Sequence, residues 1–551
     1  MEHQPACAVC GKETIHKCSA CGNAYYCSKQ HQKEDWKRHA QSCRAFKLAE
    51  SPTLGRYYVA ARNIKVGEIV LKDDLPLVAG PMHNSLPVCL GCYTELHENN
   101  AVPCTKCGWP LCSNCKDHGT ECDFTSSRRD DKVSITEFGY PHPTYQCINV
   151  IRALSLKNNN AESYKKLLSL ESHCEKIKNR KNFIFEESEN LVRFIKRFFK
   201  TDDIPDEEIM KIIGALQING HEVPLTDPPY VAVYELASLL EHNCKANCSK
   251  SFTDRGGLII HAATPVTKVL WKKRRDHISI CYTDPLWGTV NRRHHLLETK
   301  YFECTCERCS DPTEFGVMFD AVKCNETNCL GYTLPRTFLG DKQQDYACTT
   351  CAAVVPCEKI EETLERIGIH LSKIEKNNIS ACERFLNCYK NVLHPNHFYN
   401  IDATIALAQL IGQHDGLQAV DENLLADKVE LCKKLDNILK VLAPAENRIR
   451  GLILFEMHAA LAEFSRRHTE DDTLILLLES KKCLISAHEL LRYEPEVLPE
   501  GKIAVKAKEN LLKINDILQR CIYFWFINRL KYLFIYFMED VLLYHKRKLV
   551  T

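Results

Sequence analysis

The chain has 551 residues, 45% of them apolar and 26% charged, enough to bury a core and to form several domains. Lys plus Arg (72) balances Asp plus Glu (71), and a net charge of +1 makes no strong case for nucleic-acid binding. The 31 cysteines are the outlier, and the opening Met-Glu-His-Gln-Pro-Ala has no apolar signal core, so metal ligation in the nucleus or cytoplasm is expected rather than secreted disulfides.

In chain order, the first element is a cluster of Cys7, Cys10, Cys18, Cys21, Cys27, His31, His39 and Cys43. Eight ligands of this type suit two four-coordinate zinc sites, and a piece this small would need the metals to fold. Next, Leu54–Leu71 reads as two short strands of apolar and β-branched residues around a turn at Gly67. A second cluster follows: Cys89, Cys92, Cys104, Cys107, Cys112, Cys115, His118 and Cys122, with Trp109-Pro-Leu as a possible small core. It also supplies two sites, and the spacing leaves the pairing of its ligands open. Neither cluster has the two-Cys, two-His spacing of a DNA-reading finger.

Three separated motifs come next: Glu241-His-Asn-Cys-Lys-Ala-Asn247, a strand Ile278-Ser-Ile-Cys ending in Tyr282, and Cys304-x-Cys306-x2-Cys309. The last supplies three ligands and lacks a fourth. Cys324, Cys329, Cys348 and Cys351 make a further set. The basic run Lys272-Lys-Arg-Arg275 reads as a solvated loop. From Glu361 to Ile517, apolar residues at three and four spacing, as in Leu364-Ile367-Leu371-Ile374, predict successive helices of roughly 15 to 25 residues, stacked in pairs as in tetratricopeptide arrays. The aromatic-rich stretch from Cys521 is interrupted by Arg529, Lys531, Glu539 and Asp540, so no membrane span is expected there.

Tyr25-Tyr-Cys-Ser with Gln32-x3-Trp36-x2-His39-x3-Cys43 resembles a MYND finger. That resemblance implies interleaved ligation, one ion on Cys7, Cys10, Cys27 and His31 and the other on Cys18, Cys21, His39 and Cys43. The motifs from His242 to Cys309 resemble a SET methyltransferase domain, in which Cys244 would complete the clasp. A second finger after the first SET strands, then a helical insert from about Pro143 to Phe199, resembles the SMYD family, and the extra N-terminal finger looks most like the arthropod SmydA group. The implied fold is α+β: an N-terminal MYND finger (5–45), the start of the SET domain (50–85), a second MYND-like finger (86–125), a helical insert (140–200), core SET (201–300), a post-SET zinc region (301–357), a helical lobe closing one side of a substrate groove (358–520), and a tail of unclear role (521–551).

The resemblance implies S-adenosylmethionine as cofactor, about six structural zinc ions, and protein substrates methylated on lysine. It places Tyr282 at the catalytic position beside the transferred methyl. Gly55, Arg56, Asn219, Glu241, His242 and Phe302 match cofactor-contacting positions. MYND fingers imply proline-containing peptide partners, and a monomer with no membrane contact is expected. Several positions depart from the family pattern. Tyr57 stands where a second glycine is usual, Glu241 replaces an amide, Lys300 replaces a channel tyrosine, and Lys268–Asp276 inserts into a tight turn. A cation at Lys300 would repel a substrate ammonium. Two readings therefore stand: a SMYD-type lysine methyltransferase acting on histones or other proteins in transcriptional regulation, or a catalytically impaired SET/MYND zinc protein acting as an adaptor or corepressor through peptide binding.

Overall fold

The computed structural model describes residues 5–18, 24–39, 43–52, 54–180, 183–268, 277–340, 344–468 and 470–521. Cys21, the inserted stretch 269–276 with its basic run, and the tail from 522 onward lie outside the described residues. The chain divides into two compact units, one of the residues up to Ser310 with Ala443–Ala445, the other formed by the rest from Asp311 onward.

In the first unit, helix α1 (Lys29–His39) ends on Lys37, Arg38 and His39, cations that suit the negative end of the helix dipole. Strands β1 (Phe46–Ser51) and β2 (Gly55–Ala60) form an antiparallel hairpin running from Phe46 opposite Ala60 to Ser51 opposite Gly55. Strand β3 (Ile69–Asp73) follows the turn at Gly67, whose φ is +75°. The two strands expected around Gly67 are therefore present, but they do not pair with each other. Phe46-Lys-Leu-Ala-Glu-Ser is poor in strand-favouring residues, so the true partner of β2 has little sequence signal.

Next come β4 (Val78–Pro81), β5 (Ala101–Pro103), β6 (Pro110–Cys112), α2 (Glu121–Arg128), a 3-10 turn at Pro143–Cys147, and helices α3 (Ile148–Asn159), α4 (Ala161–Leu168), α5 (Cys174–Arg180), α6 (Phe183–Phe199) and α7 (Asp206–Asn219). The insert expected from Pro143 to Phe199 is thus helical. Asn160 separates α3 from α4 because its side chain accepts from the Ser163 N–H and caps the second helix. The remaining elements are β7 (Gly220–Val223), β8 (Tyr230–Val233), β9 (Glu241–His242), β10 (Cys248–Phe252), β11 (Leu258–Ala262), β12 (Ser279–Ile280), α8 (Thr289–Lys300) and α9 (Glu307–Ser310).

Small sheets build this unit: β4-β8-β7, β10-β11-β3, and a parallel pair of β9 with β12. One core lies between the second finger and the insert helices, around Trp109, Ile148, Ile151, Ile195 and Ile212. Another lies among the sheets, around Tyr58, Leu71, Phe252, Leu258, Ile260 and Ile278. Burial of these side chains is the main stabilising term for elements too short to persist alone.

The second unit begins with a meander of β13 (Val322–Lys323), β14 (Tyr332–Pro335), β15 (Tyr346–Cys348) and β16 (Val354–Val355). Helices α10 (Cys357–Lys373), α11 (Ile379–Tyr389), α12 (Phe398–Leu410), α13 (Glu422–Leu442), α14 (Asn447–Arg467) and α15 (Glu470–Leu491) follow, with a further helix over 499–521. At 11 and 13 residues, α11 and α12 are shorter than the periodicity predicts. Lys428 on α13 is fully buried and donates to the carbonyls of Ala408 (2.8 Å) and Ile411 (2.7 Å), satisfying acceptors at the end of α12.

Candidate functional site

Within each of several ligand sets, the donor atoms lie within 4.8 Å of one another: Cys7, Cys10, Cys27 and His31; Cys89, Cys92, Cys112 and Cys115; Cys104, Cys107, His118 and Cys122; Cys244, Cys304, Cys306 and Cys309; and Cys324, Cys329, Cys348 and Cys351. Four thiolate or imidazole donors at this separation suit tetrahedral zinc, and a closed set of four leaves no position for a catalytic water. His31 takes the fourth place of the first set, its Nδ1 at 3.2 Å from Cys27 Sγ and 3.5 Å from Cys7 Sγ. Cys18 and Cys43 meet at 3.9 Å beside the buried His39; Cys21, expected with them, lies outside the described residues.

The pairing left open in the second finger is resolved by its hairpin. Strands β5 and β6 bring Cys112 back to Cys92 (3.7 Å), while Cys104 meets Cys122 on α2 (3.8 Å). The ligand pairs therefore interleave. Behind them, His118 Nδ1 lies 2.7 Å from Glu121 Oε1, and Arg152 donates to both oxygens of that fully buried carboxylate at 2.6 and 2.7 Å. Burial alone would raise the Glu121 pKa, but the Arg152 charge and the hydrogen bonds from His118 and Arg152 prevail and hold it down to about 2. Arg152 also donates to the Ala79 and Leu90 carbonyls, so one guanidinium joins the finger to β4.

The turn at 241–247 grips the segment 277–282 at both ends. Asn247 donates to the His277 carbonyl (2.7 Å) and accepts from the Ser279 N–H (3.0 Å). His242 accepts from the Tyr282 N–H through Nδ1 (3.0 Å), and between them Glu241 and His242 pair in parallel with Ser279 and Ile280. Cys244 Sγ lies 3.5 Å from Cys309 and 3.9 Å from Cys304. The surrounding thiols of Cys304, Cys306 and Cys309 favour its thiolate and push its pKa down. The His-x-Cys-x2-Asn spacing thus supplies two strand-holding groups and a metal-type thiolate from one turn.

Tyr282 donates its hydroxyl to the Leu240 carbonyl. Burial, with the Glu241 carboxylate adding to it, pushes its pKa up and keeps it a neutral phenol. The His242 ring lies 5.2 Å from the Tyr282 ring and 5.9 Å from the Phe302 ring. Phe302 reaches this cluster because Tyr301 takes a left-handed φ of 59° and ends α8. Gly55 opens β2 with φ +67°, and a Cβ there would meet nothing within 4 Å, so its requirement is conformational rather than steric. Arg56 donates to the Ser169 carbonyl, and Asn219 donates to the carbonyls of Glu171 and Ala215, both at 2.8 Å. Both side chains therefore hold the insert helices in place.

The departing residues are not scattered. Glu241 Oε1 pairs with His277 Nδ1 at 2.9 Å, and the His277 ring packs on Tyr57 at 4.6 Å. Tyr57 and Glu241 are thus joined through one histidine. Lys300, at the last position of α8, donates from Nζ to the Ile218 carbonyl (2.6 Å) at the end of α7, with Nζ 5.8 Å from the centre of the Tyr282 ring. Burial, with Lys250 nearby, lowers its pKa to about 8. Three contributors carry no motif in the sequence: His277, Arg152 and Arg308. The buried Arg308 donates to the Pro285 carbonyl (2.7 Å) and the Cys244 carbonyl (3.3 Å), tying the clasp to the turn. An arginine directly before Cys309, inside the cysteine clasp, was the available sequence signal for the last.

Comparison with known proteins agrees with this geometry. The MYND finger family model matches residues 7–43. The SET domain-containing protein SmydA-8 of Drosophila melanogaster is 26% identical in its isoform A over 325 residues, covering 57% of this chain and 66% of that protein. Isoform B is 28% identical over 335 residues, covering 57% and 68%. Histone-lysine N-methyltransferase ASHR1 of Arabidopsis thaliana is 23% identical over 345 residues, covering 58% of this chain and 66% of that protein. This chain therefore spans about two thirds of the length of these relatives. A matched MYND finger, SET-type relatives and a turn, tyrosine and cysteine clasp assembled in one place together support an SMYD-type SET and MYND protein.

Proposed function

We propose that the chain is an S-adenosylmethionine-dependent protein-lysine methyltransferase of SMYD type, acting on histone or non-histone proteins in the nucleus or cytoplasm in transcriptional regulation. The observation that carries the reading is the convergence of Tyr282, His242 and Phe302, which the Cys244 turn and the clasp draw into one aromatic cluster. These residues fit the cofactor: the cluster offers ring faces to an aromatic base and a sulfonium, and the half-buried Glu241 carboxylate can face an ammonium. When bound, that cofactor supplies an electrophilic methyl group on sulfur.

The chain's own residues then have defined tasks. Gly55 lets the backbone turn where a side chain would strain it. The acceptor lysine must arrive as a neutral amine, and desolvation among the Tyr282 cluster with Lys300 close by favours loss of its proton. Tyr282, held by Leu240 and His242, bounds the acceptor's path and fixes its approach. The zinc ions, about six per chain, hold the fold and take no part in the reaction. The first finger would receive proline-containing peptides, with Trp36 47% exposed beside it.

A second reading, an adaptor or corepressor without catalysis, is favoured by Lys300, whose ammonium lies over the Tyr282 ring where an acceptor would approach. Calorimetric titration with S-adenosylmethionine separates the two. Saturable heat is expected, and none at millimolar ligand would overturn the enzyme reading. Given binding, Tyr282→Phe should cut methyl transfer at least tenfold while leaving cofactor affinity within about threefold, since only transition-state positioning is lost.

A further inference from the structure

We propose that His242 is a positioning residue that couples the metal clasp to Tyr282, an inference that rests on reading Tyr282 as the residue beside the acceptor. A backbone N–H can only donate, so His242 Nδ1, at 3.0 Å from the Tyr282 nitrogen, must be the unprotonated ring nitrogen. In the neutral ring the proton then sits on Nε2, which lies 3.2 Å from Cys244 Sγ. The imidazole therefore donates an N–H to a sulfur of the clasp while accepting from the main chain of Tyr282. Both of its nitrogens are committed inside the chain, and its ring lies within 6 Å of the rings of Tyr282 and Phe302.

The four clasp sulfurs are buried and mutually within 4.8 Å, a donor set that fits zinc. An N–H aimed at a ligating thiolate stabilises its negative charge and fixes its orientation. Parallel pairing of His242 with Ile280 sets the distance between the turn and the tyrosine segment, so the ring spans a gap that the backbone defines. Loss of the metal would free Cys244, release Nε2 and loosen the acceptor that holds the Tyr282 amide. Arg308 fastens the same turn to the clasp by its main chain, but it does not reach Tyr282; His242 alone among the described contacts bonds both Cys244 Sγ and Tyr282.

Two amide side chains separate the two halves of this role. Glutamine at 242 can place an N–H where Nε2 lies, and asparagine can place a carbonyl oxygen where Nδ1 lies. The full-length zinc-loaded protein would be treated with a thiol-alkylating maleimide and its cysteines followed by peptide mass mapping. In His242→Ala, alkylation of Cys304, Cys306 and Cys309 should speed up by 10- to 100-fold, the scale on which outer contacts set metal affinity. Cys89, Cys92, Cys112 and Cys115, in the same unit as the clasp, should be unchanged and report that this unit is folded. His242→Gln should return the clasp to within about threefold of the parent, and His242→Asn should not. Hydrogen exchange supplies the other half: protection of the Tyr282 amide should fall in His242→Gln and be kept in His242→Asn. Equal alkylation in parent and His242→Ala, or identical behaviour of the Gln and Asn variants in both measurements, would overturn the coupling. Neither readout uses methyl transfer, so an inactive parent protein would defeat the enzyme reading and leave this one standing.

Discussion

Replacing Lys300 by methionine tests the most unusual feature of the site. The lysine pKa falls from 10.5 in the unfolded chain to about 8 in the folded one, because burial disfavours the ammonium and Lys250 adds like charge. Below pH 8 both states are protonated, and the folded state bears the full penalty. Between pH 8 and 10.5 the unfolded chain holds a proton that the folded chain has released, so stability rises with pH across that window. At about 1.4 kcal/mol per pKa unit, the penalty at pH 7 is about 3 kcal/mol. Against it stands the bond from Nζ to the Ile218 carbonyl, worth about 1 kcal/mol and placed at the favourable end of α7. Methionine keeps the length of the side chain and loses both terms. Lys300→Met should therefore be more stable than the parent by about 2 kcal/mol at pH 7 and less stable by about 1 kcal/mol at pH 10.5. Melting temperatures of the two proteins measured in parallel from pH 7 to 10.5 would record the change of sign. A difference that stays constant over that range would refute the reasoning, because a group whose protonation does not differ between states cannot produce the slope. The same variant should bind a lysine-bearing peptide more tightly, since a cation has been removed from beside Tyr282.

Glu121→Gln leaves the Arg152 guanidinium buried without its carboxylate and should destabilise the first unit by about 3 kcal/mol. It should also speed chelator extraction of one metal ion by 10- to 100-fold through the loss of the His118 contact; normal melting with normal metal retention would contradict that role. Gly55→Ala forces a side chain into a left-handed conformation with open space around it, so the loss should be only about 1 kcal/mol; a loss above 3 kcal/mol would point to an unseen clash. Elemental analysis of the purified protein should give about six zinc ions per chain, and two or fewer would refute the ligand sets.

Local spacing was enough to recognise the metal sets because a Cys-x2-Cys turn brings two thiols to one ion with no help from the rest of the fold. The first finger was legible for the same reason, since it is written within residues 7–43, whereas the helical insert from Pro143 to Phe199 came from the family resemblance. The pairing in the second finger was not, because the two possible partners of Cys89 and Cys92 differ only in how β5 and β6 bring the chain back. Strand β1 escaped notice because Lys47, Ala49 and Glu50 make its sequence unlike a strand, and only the partner β2 holds it in one.

By itself, the sequence carried the resemblance to SET and MYND proteins and the kinds of ligand, since these depend on which side chains occur at which short separations. Only the tertiary structure decided what the departures mean. Tyr57, Glu241 and His277 lie far apart along the chain and become one contact when β2 and the 277–282 segment meet. Lys300 looked like a bare cation in the acceptor's path, yet the end of α7 receives its ammonium. His242 became a link between sulfur and tyrosine because pairing of β9 with β12 sets the gap its ring spans. Such contacts join residues tens of positions apart, and their distances are set by packing of the intervening elements, which no local pattern encodes.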